Sequence, residues 1–331
     1  MFSGLWPNRF VGSHFLLTEL ANESWDVVPD SWSETRWDAI DVLFISPFFV
    51  KTDDLSFELG DDKNLVQRFE WVIRAARSKN PSIIIILEQF YKLVRPDVQY
   101  DFQLFNGDSA KIKTYADSVA SFIESYYNKT LPDMSGTGQV SARIQGYDVD
   151  VESSTRQDDL PKILTAVRQS LDDLSQKLRA SKFSVSITPA WADHLDPTVA
   201  QSCDYINMQN YSGGRKTFPR DYLSTVPGLR SDQFVWGFCS EMPSQSTRDC
   251  KEFHGVLTKA QAVAAGHFGR TYTWRVNSDN HGYENIFQVW LHNLVHGTIL
   301  PDSKDERIVH KYWKTGGRDE KGQVIPPANL K

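Results

Sequence analysis

The chain predicts a single (β/α)8 barrel of the α/β class, on three observations. Eight short apolar runs alternate with longer amphipathic ones. Several of those runs are apolar almost throughout, as strands covered on both faces must be. The 331 residues, 40% hydrophobic, suit one large barrel as well as two ordinary domains, and they exclude disorder for most of the chain. The strand-like runs span 9–17, 39–48, 82–88, 141–152, 183–189, 204–211, 233–240 and 270–276. Helical periodicity fills 64–78, 110–128, 158–180, 258–268 and 283–296. Asp158 and Asp159 open the third of these with Pro161 in its first turn, a favourable helix start. The connections after the first, fifth and sixth strands are poor in helix signal and are expected to carry loops or short helices. Residues 1–300 are assigned to the barrel, and 301–331 to a charged extension that packs on it or is partly disordered. No fixed-period repeat or low-complexity segment is present.

Acidic residues number 42 against 36 basic, a formal charge of −6 without a long basic run. That balance argues against nucleic-acid and anionic-membrane surfaces. No run is long enough to span a bilayer, and no basic leader precedes an apolar stretch. The compartment is left open, with a cytoplasmic location favoured over a secreted one, and the expected state is monomeric. Cys203, Cys239 and Cys250 match no zinc spacing, although Cys239 and Cys250 could pair in an oxidising compartment. Ten Trp, 12 Tyr and 19 Phe are a generous supply; most are expected in the core, and flat apolar ligands such as sugar rings would suit some of them.

The most informative stretch is Gln145-Gly146-Tyr147-Asp148-Val149-Asp150-Val151-Glu152. Side chains alternate along a strand, so Asp148, Asp150 and Glu152 share one face and Tyr147, Val149 and Val151 the other. On the fourth strand of a barrel the apolar face meets the helices, and the acids climb the interior toward the C-terminal mouth. Three carboxyls at intervals of about 7 Å cost too much to bury for packing alone. Like-charge coupling should raise at least one pKa and keep a proton available for general-acid work. Glu152 stands at the strand end, where barrel enzymes place catalytic groups.

This ladder resembles the Asp-Gly-x-Asp-x-Asp-x-Glu signature of glycoside hydrolase family 18, the chitinases and endo-β-N-acetylglucosaminidases. Gly146, Asp148, Asp150 and Glu152 match it, with Gln145 where the first Asp would stand. Asn207-Met208-Gln209-Asn210-Tyr211 on the sixth strand is similar to the Gln-x-Tyr of hevamine-type members, and Trp274 stands where the family places a tryptophan beneath the reactive sugar. The resemblance implies retaining, substrate-assisted hydrolysis of a β-linked N-acetylglucosamine, in chitin oligomers or an N-glycan core, with no metal or organic cofactor. Glu152 would act as general acid and then base. Asp150 would orient the acetamido N–H, and Asp148 would hydrogen-bond Asp150. Tyr211 would donate to the acetamido oxygen, Gln209 would help place it, and Trp274 would floor the site. Met208 faces the other way and is read as packing.

The third strand departs from the family pattern. It ends Leu87-Glu88-Gln89-Phe90 where the family has small residues. Glu88 could be a second acid, could pair with an arginine such as Arg275, or could occupy sugar space. Glu241, after the seventh strand, is placed to reach the mouth, and Gln145 is expected to tune Asp148 from below. The departures leave two alternatives to hydrolysis: a non-hydrolytic carbohydrate binder, and a barrel repurposed for acid–base chemistry on another small molecule. His292 and His296, four apart but without a neighbouring Glu, read as a helix surface.

Overall fold

The computed structural model describes residues 5–18, 25, 27–59, 64–90, 101–152, 157–211, 218–239, 269–278 and 285–300. Eight parallel strands close a barrel: β1 (Phe10–Leu16), β2 (Val42–Val50), β3 (Ile84–Gln89), β4 (Gly146–Val151), β5 (Ser184–Pro189), β6 (Tyr205–Met208), β7 (Phe234–Cys239) and β8 (Arg270–Trp274). Each pairs with the next, and β8 returns to β1 at Phe10 to Ser13, so the barrel has no free edge. All eight predicted strands are present. The fourth is shorter than expected, because 139–141 instead pairs with 130–132 in a small antiparallel ribbon.

Helices α1 (Leu65–Lys79), α2 (Ser109–Tyr127), α3 (Leu160–Leu178), α4 (Pro219–Thr225) and α5 (Ile286–Val295) cover the outside. The carboxylate of Asp108 caps α2, accepting from the Ala110 and Lys111 amides at 2.9 and 3.2 Å. Asp159 occupies the N-cap of α3, yet its carboxylate accepts from the Gly107 amide at 2.7 Å. The weak connections do carry short elements: residues 30–33 and 37–39 after β1, 192–194 and 199–202 after β5, and α4 after β6. The predicted helix 258–268 and the tail 301–331 lie outside the described residues. Among the described residues no helix is long and apolar enough to cross a membrane. Cys203 is a buried free thiol and Cys239 is disulfide-bonded, while Cys250 lies outside the described residues.

Two apolar layers result from the alternation. Odd positions of β4 and their equivalents pack against the helices; Tyr147, Val149, Ile187 and Met208 are fully buried there. Inside the barrel a smaller cluster of Phe10, Val42, Phe44, Ile86, Val235 and Tyr272 fills the lower half. Trp6 plugs the floor, stacked on Tyr205 with ring centroids 3.8 Å apart, its backbone amide donating to the Tyr205 hydroxyl at 2.8 Å. Above this cluster the interior turns polar.

Candidate active site

Register decides which side chains meet in the upper barrel. Glu88 on β3 pairs level with Asp148 on β4. On the other side, Asp148 sits beside Ser186 and Asp150 beside Thr188 of β5. Close approach of β4 to β5 depends on Gly146: a Cβ there would lie 2.1 Å from Ser184 Oγ and 2.5 Å from the Ser184 carbonyl. The glycine of the acidic motif is thus a packing requirement at the base of the ladder.

Asp148 is fully buried and accepts three hydrogen bonds, from Ser186 Oγ at 2.5 Å, Thr188 Oγ1 at 2.8 Å and Asn207 Nδ2 at 3.0 Å. Asp150, also buried, accepts from Gln209 Nε2 at 2.9 Å. The expected Asp148–Asp150 hydrogen bond is not formed, since donors from β5 and β6 take up the Asp148 oxygens. Burial, followed by the charge of Glu88, pushes Asp148 up to about 7 against the pull of Ser186, His14 and Thr188. Burial also raises Asp150 well above the usual carboxylate range, with Glu152, Glu88 and Asp148 adding to it. The like-charge effect expected from the ladder is present, but burial exceeds it. Glu152 follows the last residue of β4 at the mouth and is half-buried. After burial, its charge is the largest influence on Asp150.

Gln209 and Tyr211 share the interior face, while Met208 is buried on the helix side. The Tyr211 hydroxyl lies 3.4 Å from that of Tyr272, which donates to the Met208 carbonyl at 3.1 Å. Burial keeps the Tyr211 phenol well above its ordinary pKa, and the charges of Glu152 and Asp150 add to that effect. Tyr211 is therefore a neutral donor beside the ladder. Trp274 ends β8, half-buried, packed on the interior cluster and roughly parallel to Phe90 at 6.4 Å between centroids.

Glu88 is the largest change from expectation. It is fully buried, and its Oε1 lies 2.8 Å from Nδ1 of the equally buried His14 on β1. Its partner is this imidazole and not Arg275, whose guanidinium lies over the Trp274 ring. The His14–Glu88 contact is at ion-pair distance but is not aligned as a hydrogen bond, and Glu88 Oε2 and His14 Nε2 have no protein hydrogen-bond partner. The imidazole stacks on Phe44 at 4.6 Å and meets the edge of Trp274 at 5.2 Å. Ser46 Oγ, buried on the neighbouring strand, is likewise unpartnered. Buried polar atoms without partners are rare in folded proteins, and those of Glu88 stand level with Asp148 inside the barrel.

Gln145 does not lie below Asp148. Its Oε1 accepts from the Ile85 amide at 2.9 Å and from Arg77 at 3.2 Å, outside the barrel. As an odd position it shares the face of Tyr147, so it cannot tune the ladder from within. Glu241 lies outside the described residues. His14, Ser186, Thr188 and Asn207 complete the site without having been selected from the sequence. For His14 the available signal was its alternation with Phe10 and Gly12 along β1.

The class defined by fold and interior is a closed (β/α)8 barrel with an acidic upper core. Solved structures with this fold include a family-18 chitinase from Cycas revoluta in complex with (GlcNAc)3 (TM-score 0.61, 10% identity, covering 87% of this chain and all of that one). A chitinase from Trichuris suis is as similar, at TM-score 0.61, 9% identity and the same coverage. The chitinase-like agglutinin of Robinia pseudoacacia aligns at TM-score 0.58 and 11% identity, over 85% of this chain and 99% of its own. The chain thus has the fold of family-18 chitinases and chitinase-like proteins. No protein-family model and no curated protein sequence matches it.

Proposed function

We propose that the protein is a retaining, substrate-assisted glycoside hydrolase acting on β-linked N-acetylglucosamine, in chitin oligomers or an N-glycan core. The observation that carries this reading is the ladder. Asp148, Asp150 and Glu152 rise up the interior of β4 to the mouth, flanked by Gln209, Tyr211 and Trp274. Glu152 at the mouth protonates the leaving glycosidic oxygen. The 2-acetamido oxygen of the substrate attacks the anomeric carbon, and an oxazolinium ion forms as the C–O bond breaks. Asp150, held by Gln209, orients the acetamido N–H and offsets the developing positive charge. Asp148, anchored by three donors, fixes the base of the ladder. Tyr211 donates to the acetamido oxygen, and Trp274 supports the sugar ring. Glu152 then takes a proton from water, which opens the oxazolinium with net retention.

Substrate dependence tests this. A chromogenic diacetylchitobioside should be hydrolysed with retention, and the matching cellobioside, which lacks the acetamido groups, should not. Equal rates on both would exclude substrate assistance. The buried His14–Glu88 pair favours one second reading, a barrel repurposed for acid–base chemistry on another small molecule. Absence of turnover and of binding with every 2-acetamido sugar would favour it. Binding without hydrolysis would instead indicate a lectin-like protein.

A further inference from the structure

At the opposite end of the barrel from Glu152, α5 places two imidazoles against the start of β2. His292 and His296 are four residues apart and share one helix face, which in the folded chain meets Asp41 rather than open solvent. His296 Nε2 is 2.8 Å from Asp41 Oδ2, and His292 Nε2 is 3.5 Å from Asp41 Oδ1. One ligand-type atom from each residue lies within 4.8 Å of the other two. Their side chains are 20 to 30% exposed, enough to admit an ion and a water. Asp41 is oriented from behind: its Oδ2 also accepts from the Val11 amide at 2.7 Å. Outer hydrogen bonds of this kind hold ligating carboxylates in metal sites. Among the described residues this is the one group of three ligand side chains so arranged.

We infer that Asp41, His292 and His296 form a zinc site, with water as the fourth ligand. Zinc bonds of about 2.0–2.2 Å in tetrahedral geometry separate ligand atoms by roughly 3.3–3.5 Å. Asp41 Oδ1 already has that spacing from His292, at 3.5 Å, whereas His296 contacts the other oxygen, Oδ2, at 2.8 Å and has to turn toward Oδ1 while the Val11 amide keeps Oδ2. Two imidazole nitrogens and one carboxylate suit zinc, whereas magnesium and calcium require oxygen-rich cages. Two neighbouring charges bear on the site. Arg9 opposes a cation, but its guanidinium donates to the Val295 carbonyl at 3.3 Å. Asp38 adds a negative charge beside His292. The site is remote from the ladder and takes no part in the proposed hydrolysis. Its effect is to fasten the last described helix to β1 and β2.

Isothermal titration of the EDTA-stripped full chain with zinc chloride, together with metal analysis after dialysis, tests the inference. The wild type is expected to bind one equivalent of zinc and none of magnesium, and its unfolding temperature to rise on zinc addition. His292→Gln and Asp41→Asn should each weaken zinc binding by at least ~10-fold and remove that rise. Asn at 41 keeps an acceptor for the Val11 amide, so its fold serves as the control if the histidine variant is unstable. No zinc uptake by the wild type would overturn the assignment. So would unchanged uptake by a folded variant, which would place the ion on other histidines of the eight in the chain.

Discussion

At Asp148 burial and hydrogen bonding oppose each other, and burial prevails. The folded state holds its proton up to about pH 7, while an unfolded carboxyl releases it near 3.8. Its contribution to stability is therefore full below the unfolded value and is lost as pH rises through about 7. Asp148→Asn removes that loss. Urea unfolding of wild type and variant should diverge from about pH 4 to about pH 8, the variant gaining up to ~4 kcal/mol relative to wild type. Parallel stability curves would show that Asp148 does not carry the proton. This residue and its companions on β4 were legible in the sequence because a strand has a period of two. His14 was not, since a lone histidine in an apolar run gives no sign of which strand supplies its partner. Glu88 was visible as an anomaly, but its partner lies on another strand of the closed barrel, beyond the reach of local pattern.

Among the elements, β4 depends on close contact with its neighbour. A methyl at position 146 would overlap Ser184 Oγ and its carbonyl, so Gly146→Ala must push β4 and β5 apart or displace Ser184. The expected cost is ~1–3 kcal/mol, seen as a lower urea midpoint, and the shift should also disturb the donors that Ser186 and Thr188 supply to Asp148. An unchanged midpoint would mean that the strands relax freely. The eight strands were recoverable because several are covered on both faces and so are apolar almost throughout, while β4 and β5 keep an apolar outer face at alternate positions. Helix α4, seven residues long, was not, because two turns are too short for a periodic signal. Gln145 shows the opposite lapse. The alternation that assigned the acids to the interior also puts residue 145 outside, and reading it as part of the ladder overlooked that.

For the whole molecule, closure of the sheet on itself sets the division of labour. Aromatic rings fill the floor from Trp6 to Tyr272, and the polar groups are left to the mouth. The strands and helices described between residues 10 and 295 build one closed barrel, and the surplus of acids gains meaning only from its placement. Contacts such as Asp41 with His296, 255 residues apart, exist only after closure, which is why the sequence read that helix face as plain surface. The central claim is that the top of the ladder is the general acid and base. Turnover of a chromogenic diacetylchitobioside by wild type and Glu152→Gln, with chito-oligosaccharide binding measured alongside, tests it most directly. The expected result is a loss of turnover of ~10²–10⁴-fold with binding retained. Equal turnover in the two proteins would contradict the assignment of Glu152 and the proposed mechanism with it.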